Sequence, residues 1–169
     1  SQCIYHPFYQ YPRPIVDKMF HFVISISRID FDKNIDILLK ANYKLPDTKK
    51  IHIYGKENRL YVHHKLKQLD FERYWKGKYD KQLQILYQDL STIKNDGGGT
   101  QYTFLDGIYN DCVLILHKQW INQGKLFQHG YNCLAVENEN ELVELLTNEL
   151  SDEKLSEIKI NATHILNKY

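Results

Sequence analysis

Arg28 and Lys33 stand five positions apart in the segment FVISISRIDFDKN, residues 22 to 34. An apolar run stops at Ser27-Arg28 and the chain turns hydrophilic, as at the mouth of a buried strand. A guanidinium is a planar fork suited to phosphate oxygens, and a lysine is a mobile point charge. With the loop folded between them, both can reach one diphosphate. Each charge-assisted hydrogen bond would contribute about 1.5–3 kcal/mol. An exposed loop with salt bridges to Asp30 and Asp32 uses the same residues, and spacing alone does not separate the two readings.

The second half of an anion site lies some sixty residues on, in NDGGGTQYTFLDGIY. Gly97-Gly98-Gly99 carries no side chains, so a ligand can approach the backbone closely. Thr100 opens a helix-like segment whose first N–H groups are unpaired and whose dipole favours an anion. Backbone N–H groups of Gly98, Gly99 and Thr100 are the candidate phosphate donors. No Lys-Ser/Thr follows the glycines, so this is not a P-loop, and G-x-G-x-x-G fails at Tyr102-Thr103. Asp96 precedes the glycines and Asp106 lies one to two turns into the helix. A carboxylate there can accept from ribose or sugar hydroxyls.

The rest of the chain excludes several classes. Charge is nearly balanced, 22 Lys+Arg against 21 Asp+Glu, so no global field points to nucleic acid. Lys65, Lys67, Arg73, Lys76, Lys78 and Lys81 form a local basic cluster, read as a solvated face or as a contact for an acidic surface. Cys3, Cys112 and Cys133 are too few and too scattered for a disulfide framework or a zinc site; the last two read as small core residues. Among eight histidines no pair has the setting of a metal site. His63 and His64 are adjacent and should point apart on a helix, and His117 and His129 flank a loop that could approach the ligand edge, though ordinary loop residues are the simpler reading. No apolar run approaches a membrane span, and a reducing cytosol fits.

These motifs need elements to hold them. Expected strands are His21–Ile26, Lys50–Tyr54, Phe71–Trp75, Leu90–Ile93, Val113–Leu116 and Leu134–Val136, each short, apolar and bounded by Gly, Asn or Asp. Helical periodicity covers Ile35–Tyr43, Glu57–Leu69, Lys81–Tyr87, Thr100–Tyr109, Glu139–Leu150 and Glu153–Leu166, with Ser151 as N-cap of the last. The alternation predicts an α/β domain over residues 20–169: a doubly wound, mostly parallel sheet with helices on both faces. Residues 1–19, rich in proline and without period, read as an incoming linker. In such a sheet ligands sit outside the carboxyl ends of the strands, and both motifs fall at that edge.

In that order the motifs resemble the carboxyl-terminal, donor-binding domain of a retaining family-4 glycosyltransferase, one Rossmann-like half of a GT-B fold. Ser27-Arg28-Ile29 followed by Lys33-Asn34 resembles the family's Gly-Arg-Leu and Lys-Asn, with Ser in place of Gly. Ile53-Tyr54-Gly55 resembles its apolar strand closing on Gly, and Tyr74-Trp75-Lys76-Gly77 its phenylalanine–x–Gly segment beside the base. His129-Gly130-Tyr131-Asn132-Cys133-Leu134 resembles its Gly-x-Asn-Gly-Leu element, with Cys133 for Gly. The family's glutamate pair is altered. Leu105-Asp106-Gly107 matches the second acid, while strict register places Gly98 where the first would stand. Asp96 substitutes only if the loop is two residues longer.

The resemblance implies transfer of a sugar from a nucleoside diphosphate sugar, UDP- or GDP-linked, with retention of configuration and without a metal or other cofactor. Arg28 and Lys33 would neutralise the leaving diphosphate, Gly98, Gly99 and Thr100 would hold phosphate oxygens, and Asp106 would bind ribose. Asp96 is the substitute for the first acid. An amino-terminal acceptor-binding domain would supply the other wall of the cleft, with a glycan, lipid or protein as acceptor. No nucleic-acid partner is implied; peripheral membrane contact stays open. The rivals are a non-catalytic GT-B-like scaffold and a nucleotide-sugar 2-epimerase.

Overall fold

The computed structural model describes residues 23–30, 34–78, 88–91, 102–109, 111–121, 126–148 and 150–168. Five short strands form one parallel sheet: β1 Val23–Ile26, β2 His52–Tyr54, β3 Gln88–Ser91, β4 Ile115–His117 and β5 Leu134–Val136. Their order across the sheet is β2-β1-β3-β4-β5, with Ile24 opposite His52 on one side of β1 and opposite Asp89 on the other. The helices are α1 Ile35–Lys44, α2 Arg59–Tyr61, α3 Phe71–Tyr74, α4 Tyr102–Tyr109, α5 Glu139–Thr147 and α6 Asp152–Leu166. This is the expected doubly wound α/β architecture.

Parallel strands covered on both faces become apolar on both faces, and the segment before and through β4 shows how. Val113 and Ile115 join one core, with Ile35, Leu38 and Leu39 of α1 and Leu142 of α5. Leu114 and Leu116, one residue out of step, join a second core with Phe104, Leu105 and Ile108 of α4. Helix α6 serves both. Ile158 belongs to the first core, whereas Ala162, Ile165 and Leu166 belong to the second. The helix therefore passes from one face to the other beside the start of β5, where Asn161 Nδ2 donates to the Tyr131 carbonyl at 2.9 Å.

Side chains fix the element ends. Ser151 Oγ accepts from the Lys154 N–H at 3.2 Å and Asn138 Oδ1 from Glu141 N–H at 2.9 Å, capping α6 and α5. Buried Asn42 ties α1 to the entrance of β2, donating to the Ile51 carbonyl at 3.1 Å and accepting from its N–H at 2.8 Å.

Two expectations are corrected. Phe71–Trp75 is not a strand: Phe71–Tyr74 makes a helical turn, because Phe71 and Tyr74, three apart, are both buried while Glu72 and Arg73 are exposed. Only Trp75 is extended, and it bridges Ile53 of β2 in parallel. Counting that bridge, the order becomes Trp75-β2-β1-β3-β4-β5, the dinucleotide-fold order with its third strand reduced to one residue. Nor is 57–69 one regular helix. After α2 it widens into a π turn at Val62–Leu66 and tightens into a 3₁₀ turn at Lys67–Leu69. In the π turn the His63 and His64 rings meet edge-on, 5.3 Å apart, rather than pointing apart.

Strand β3 begins two residues before the expected Leu90. The expected helix at Lys81–Tyr87 lies outside the described residues, as do residues 1–19.

Candidate anion-binding site at the carboxyl edge of the sheet

From β1 the chain goes first to β2 on one side and later to β3 on the other, so β1 and β3 flank the topological switch point. The crevice outside their carboxyl ends is where such sheets take ligands. Arg28 stands at one lip, two residues past Ile26, with its side chain exposed and no ion pair among the described residues. The chain leaves β3 at Ser91 and re-enters the described structure at Tyr102, where α4 starts. Lys33, Asp96, Gly98, Gly99 and Thr100 lie outside the described residues.

The turn bearing Arg28 is held by main-chain bonds. Ser27 N–H donates to the Tyr54 carbonyl at 3.3 Å, Ile29 N–H to Lys56 at 2.9 Å, and Asn58 N–H to Ile29 at 2.9 Å. Asn58 Nδ2 adds a bond to Asp30 Oδ1 at 3.1 Å. Between these, Gly55 presses its backbone onto Ser27. A Cβ built there would lie 1.6 Å from the Ser27 carbonyl oxygen, and its φ is +147°. Gly55 is thus required by close approach and by conformation together.

The turn after β2 is held in turn by the segment after α3. Gly55 N–H donates to the Gly77 carbonyl at 2.9 Å and Lys76 N–H to Ile53 at 2.7 Å. The Trp75 indole N–H reaches the Gly55 carbonyl at 2.8 Å. Three successive turns are laminated at the edge, and Arg28 rides on the innermost.

Tyr61 and one oxygen of Glu57, near this edge, are committed. The Tyr61 phenol oxygen lies against the first N–H groups of α1, those of Ile35 and Asp36. Burial, ahead of the Asp36 charge, pushes that phenol up to about 12, so it stays a neutral cap. The α1 N-terminus is thereby occupied from within. Glu57 takes Arg59 Nη2 on one oxygen at 2.7 Å; its other oxygen is buried without a hydrogen-bond partner among the described residues.

Asp106 sits in the second turn of α4, half-buried and engaged in a polar interaction. Its neighbours Leu105 and Gly107 are buried. It shares the helix that follows the glycines, as the spacing predicts.

His117 was expected to be an ordinary loop residue. It ends β4 on the ligand edge, half-buried, and its Nδ1 accepts the Gln119 N–H at 3.1 Å. In the neutral ring the proton is then on Nε2, a fixed donor. The clue in the sequence is its place directly after the apolar run VLIL.

The 126–135 turn is built differently. Buried Asn132 donates to the Leu126 carbonyl at 2.9 Å and accepts from Gln128 N–H at 2.8 Å. His129 Nδ1 accepts from Ala135 N–H at 2.9 Å. Gly130, at φ +79°, donates to the Cys133 carbonyl. Burial pushes the Cys133 thiol up to about 12, so it packs as a small apolar group.

Comparison with solved structures places this architecture. Anabaena HepE in complex with UDP-glucose superposes with a TM-score of 0.70 at 19% identity, over 89% of this chain and 44% of that one. A mutant of S. aureus TarM, in complex with Fondaparinux, alpha-GlcNAc-glycerol and UDP, gives 0.69 at 19% identity, over 96% and 37%. The C-terminal domain of a glycosyl transferase group 1 family protein (LpcC) from Francisella tularensis gives 0.60 at 15% identity, over 88% and 84%. No family model and no curated protein matches the chain in sequence. The fold is thus that of a GT-B glycosyltransferase Rossmann-like domain. The chain spans under half the length of HepE and TarM, and most of the isolated LpcC domain.

Proposed function

We propose that this chain is the donor-binding domain of a glycosyltransferase that transfers a sugar from a nucleoside diphosphate sugar with retention of configuration. The observation that carries the reading is the placement of Arg28. Its exposed side chain rises from a turn that main-chain bonds hold at the switch point of a sheet whose structural neighbours include complexes with UDP and UDP-glucose.

In this reading Arg28 and Lys33 neutralise the leaving diphosphate as the glycosidic bond to phosphate breaks. N–H groups of Gly98, Gly99 and Thr100 hold phosphate oxygens, with the α4 dipole behind them. Asp106 accepts from ribose hydroxyls, and Asp96 stands by the donor sugar. The protein's own cations meet the diphosphate charge, so no metal is assigned. A second, amino-terminal domain supplies the acceptor wall, and the acceptor is a glycan, lipid or protein.

Titration calorimetry of the chain with UDP, GDP and ADP, with and without chelator, tests this. Saturable binding of one nucleotide, unchanged by chelator, is expected. Absence of binding by all three at millimolar concentration would overturn it.

A further inference from the structure

The three laminated turns contain one side-chain bond that joins the outer turn to the middle one, the Trp75 indole N–H on the Gly55 carbonyl at 2.8 Å. We propose that Trp75 is a positioning residue of the donor site: it holds the Gly55 peptide, and through it the Ser27–Arg28 turn, where Arg28 can meet a diphosphate. The proposal rests on the donor-site reading above.

The contacts form a continuous path. Trp75 bridges Ile53 through its backbone while its ring stacks on buried Phe71, centroids 5.6 Å apart and planes inclined by 21°. The backbone and one face of the ring are therefore held before its N–H is counted. That N–H meets the carbonyl of Gly55, whose N–H is held by Gly77. Both ends of the Gly55 residue are thus tied to the 75–77 segment. Its α-carbon abuts the Ser27 carbonyl so closely that no Cβ fits. A rotation of Gly55 would have to push Ser27, and with it Arg28. A benzothiophene ring could fill the same space but could not anchor the Gly55 peptide.

The test is Trp75→Phe, which keeps an aromatic ring beside Phe71 and removes the donor. Loss of one such bond predicts about 3- to 10-fold weaker UDP binding and about 3- to 10-fold faster amide exchange at Gly55 and Ile29. Benzothienylalanine at position 75, which keeps the ring's shape and lacks the N–H, must reproduce both effects. In an Arg28→Ala background the substitution should change UDP affinity less than about 2-fold, because its effect runs through Arg28. If the unsubstituted chain binds UDP and Trp75→Phe leaves affinity and exchange unchanged, the proposal is wrong. An affinity loss of equal size with and without Arg28 also overturns it. Failure of the unsubstituted chain to bind any nucleotide overturns the donor-site reading and this proposal with it.

Discussion

Two turns at opposite ends of the sheet solve the same problem by opposite means. The turn after β1 is fixed mainly by backbone: three main-chain bonds and the Gly55–Ser27 contact hold it, and the exposed Arg28 side chain makes no ion pair among the described residues. The turn before β5 is fixed by side chains, with both ends of the Asn132 amide and Nδ1 of His129 spent on backbone partners. Polar groups consumed by architecture cannot serve a ligand. A backbone-held turn leaves its cation available, and that contrast is the basis for proposing Arg28 as the ligand contact.

The contrast can be broken at its tightest point. Gly55→Ala should cost about 3 kcal/mol or more, since the methyl would meet a main-chain oxygen and the conformation is itself costly outside glycine. Urea denaturation would measure it. A loss below about 1 kcal/mol would mean the two turns are not pressed together.

Asn132→Ala comes next. It leaves the carbonyl of half-buried Leu126 and the N–H of Gln128 without their side-chain partner, at about 1–3 kcal/mol. Nucleotide affinity, measured well below the melting temperature, should be unaffected. A selective loss of affinity would place Asn132 in the site rather than the frame.

The smallest effect is a pH dependence. His52 on β2 is half-buried; burial, and then the Lys76 charge, hold its imidazole below the ordinary value of 6.5. The unfolded chain therefore binds the proton more readily than the folded one. Stability is full above about pH 6.5 and falls as pH drops through the depressed value. His52→Gln should flatten that part of a melting-temperature profile, and an unchanged slope would assign it to other groups.

The sequence announced some of this clearly. Leu134–Val136 was legible because three apolar residues sit between turn residues, and Ser151 because a cap acts locally. Phe71–Trp75 misled because a short apolar run fits either period, and only the burial of Phe71 and Tyr74 three apart resolves it. The start of β3 was missed since Gln88 and Asp89 lack strand character, yet pair with β1 through main chain.

The position of Arg28 just past the carboxyl end of β1 was legible from the apolar run before it. Its scaffold was not. The bond from Trp75 to Gly55 spans twenty residues and ends on a carbonyl, which every residue has. The tyrosine cap on α1 is equally invisible, because Tyr61 reads as one more core aromatic.

The most direct test of the account measures both stability and UDP affinity in Arg28→Ala. Stability within about 0.5 kcal/mol of the parent, together with at least a 10-fold loss of affinity, is predicted for a charge held outside the scaffold. Unchanged affinity, or a loss of stability as large as that of Asn132→Ala, would contradict it.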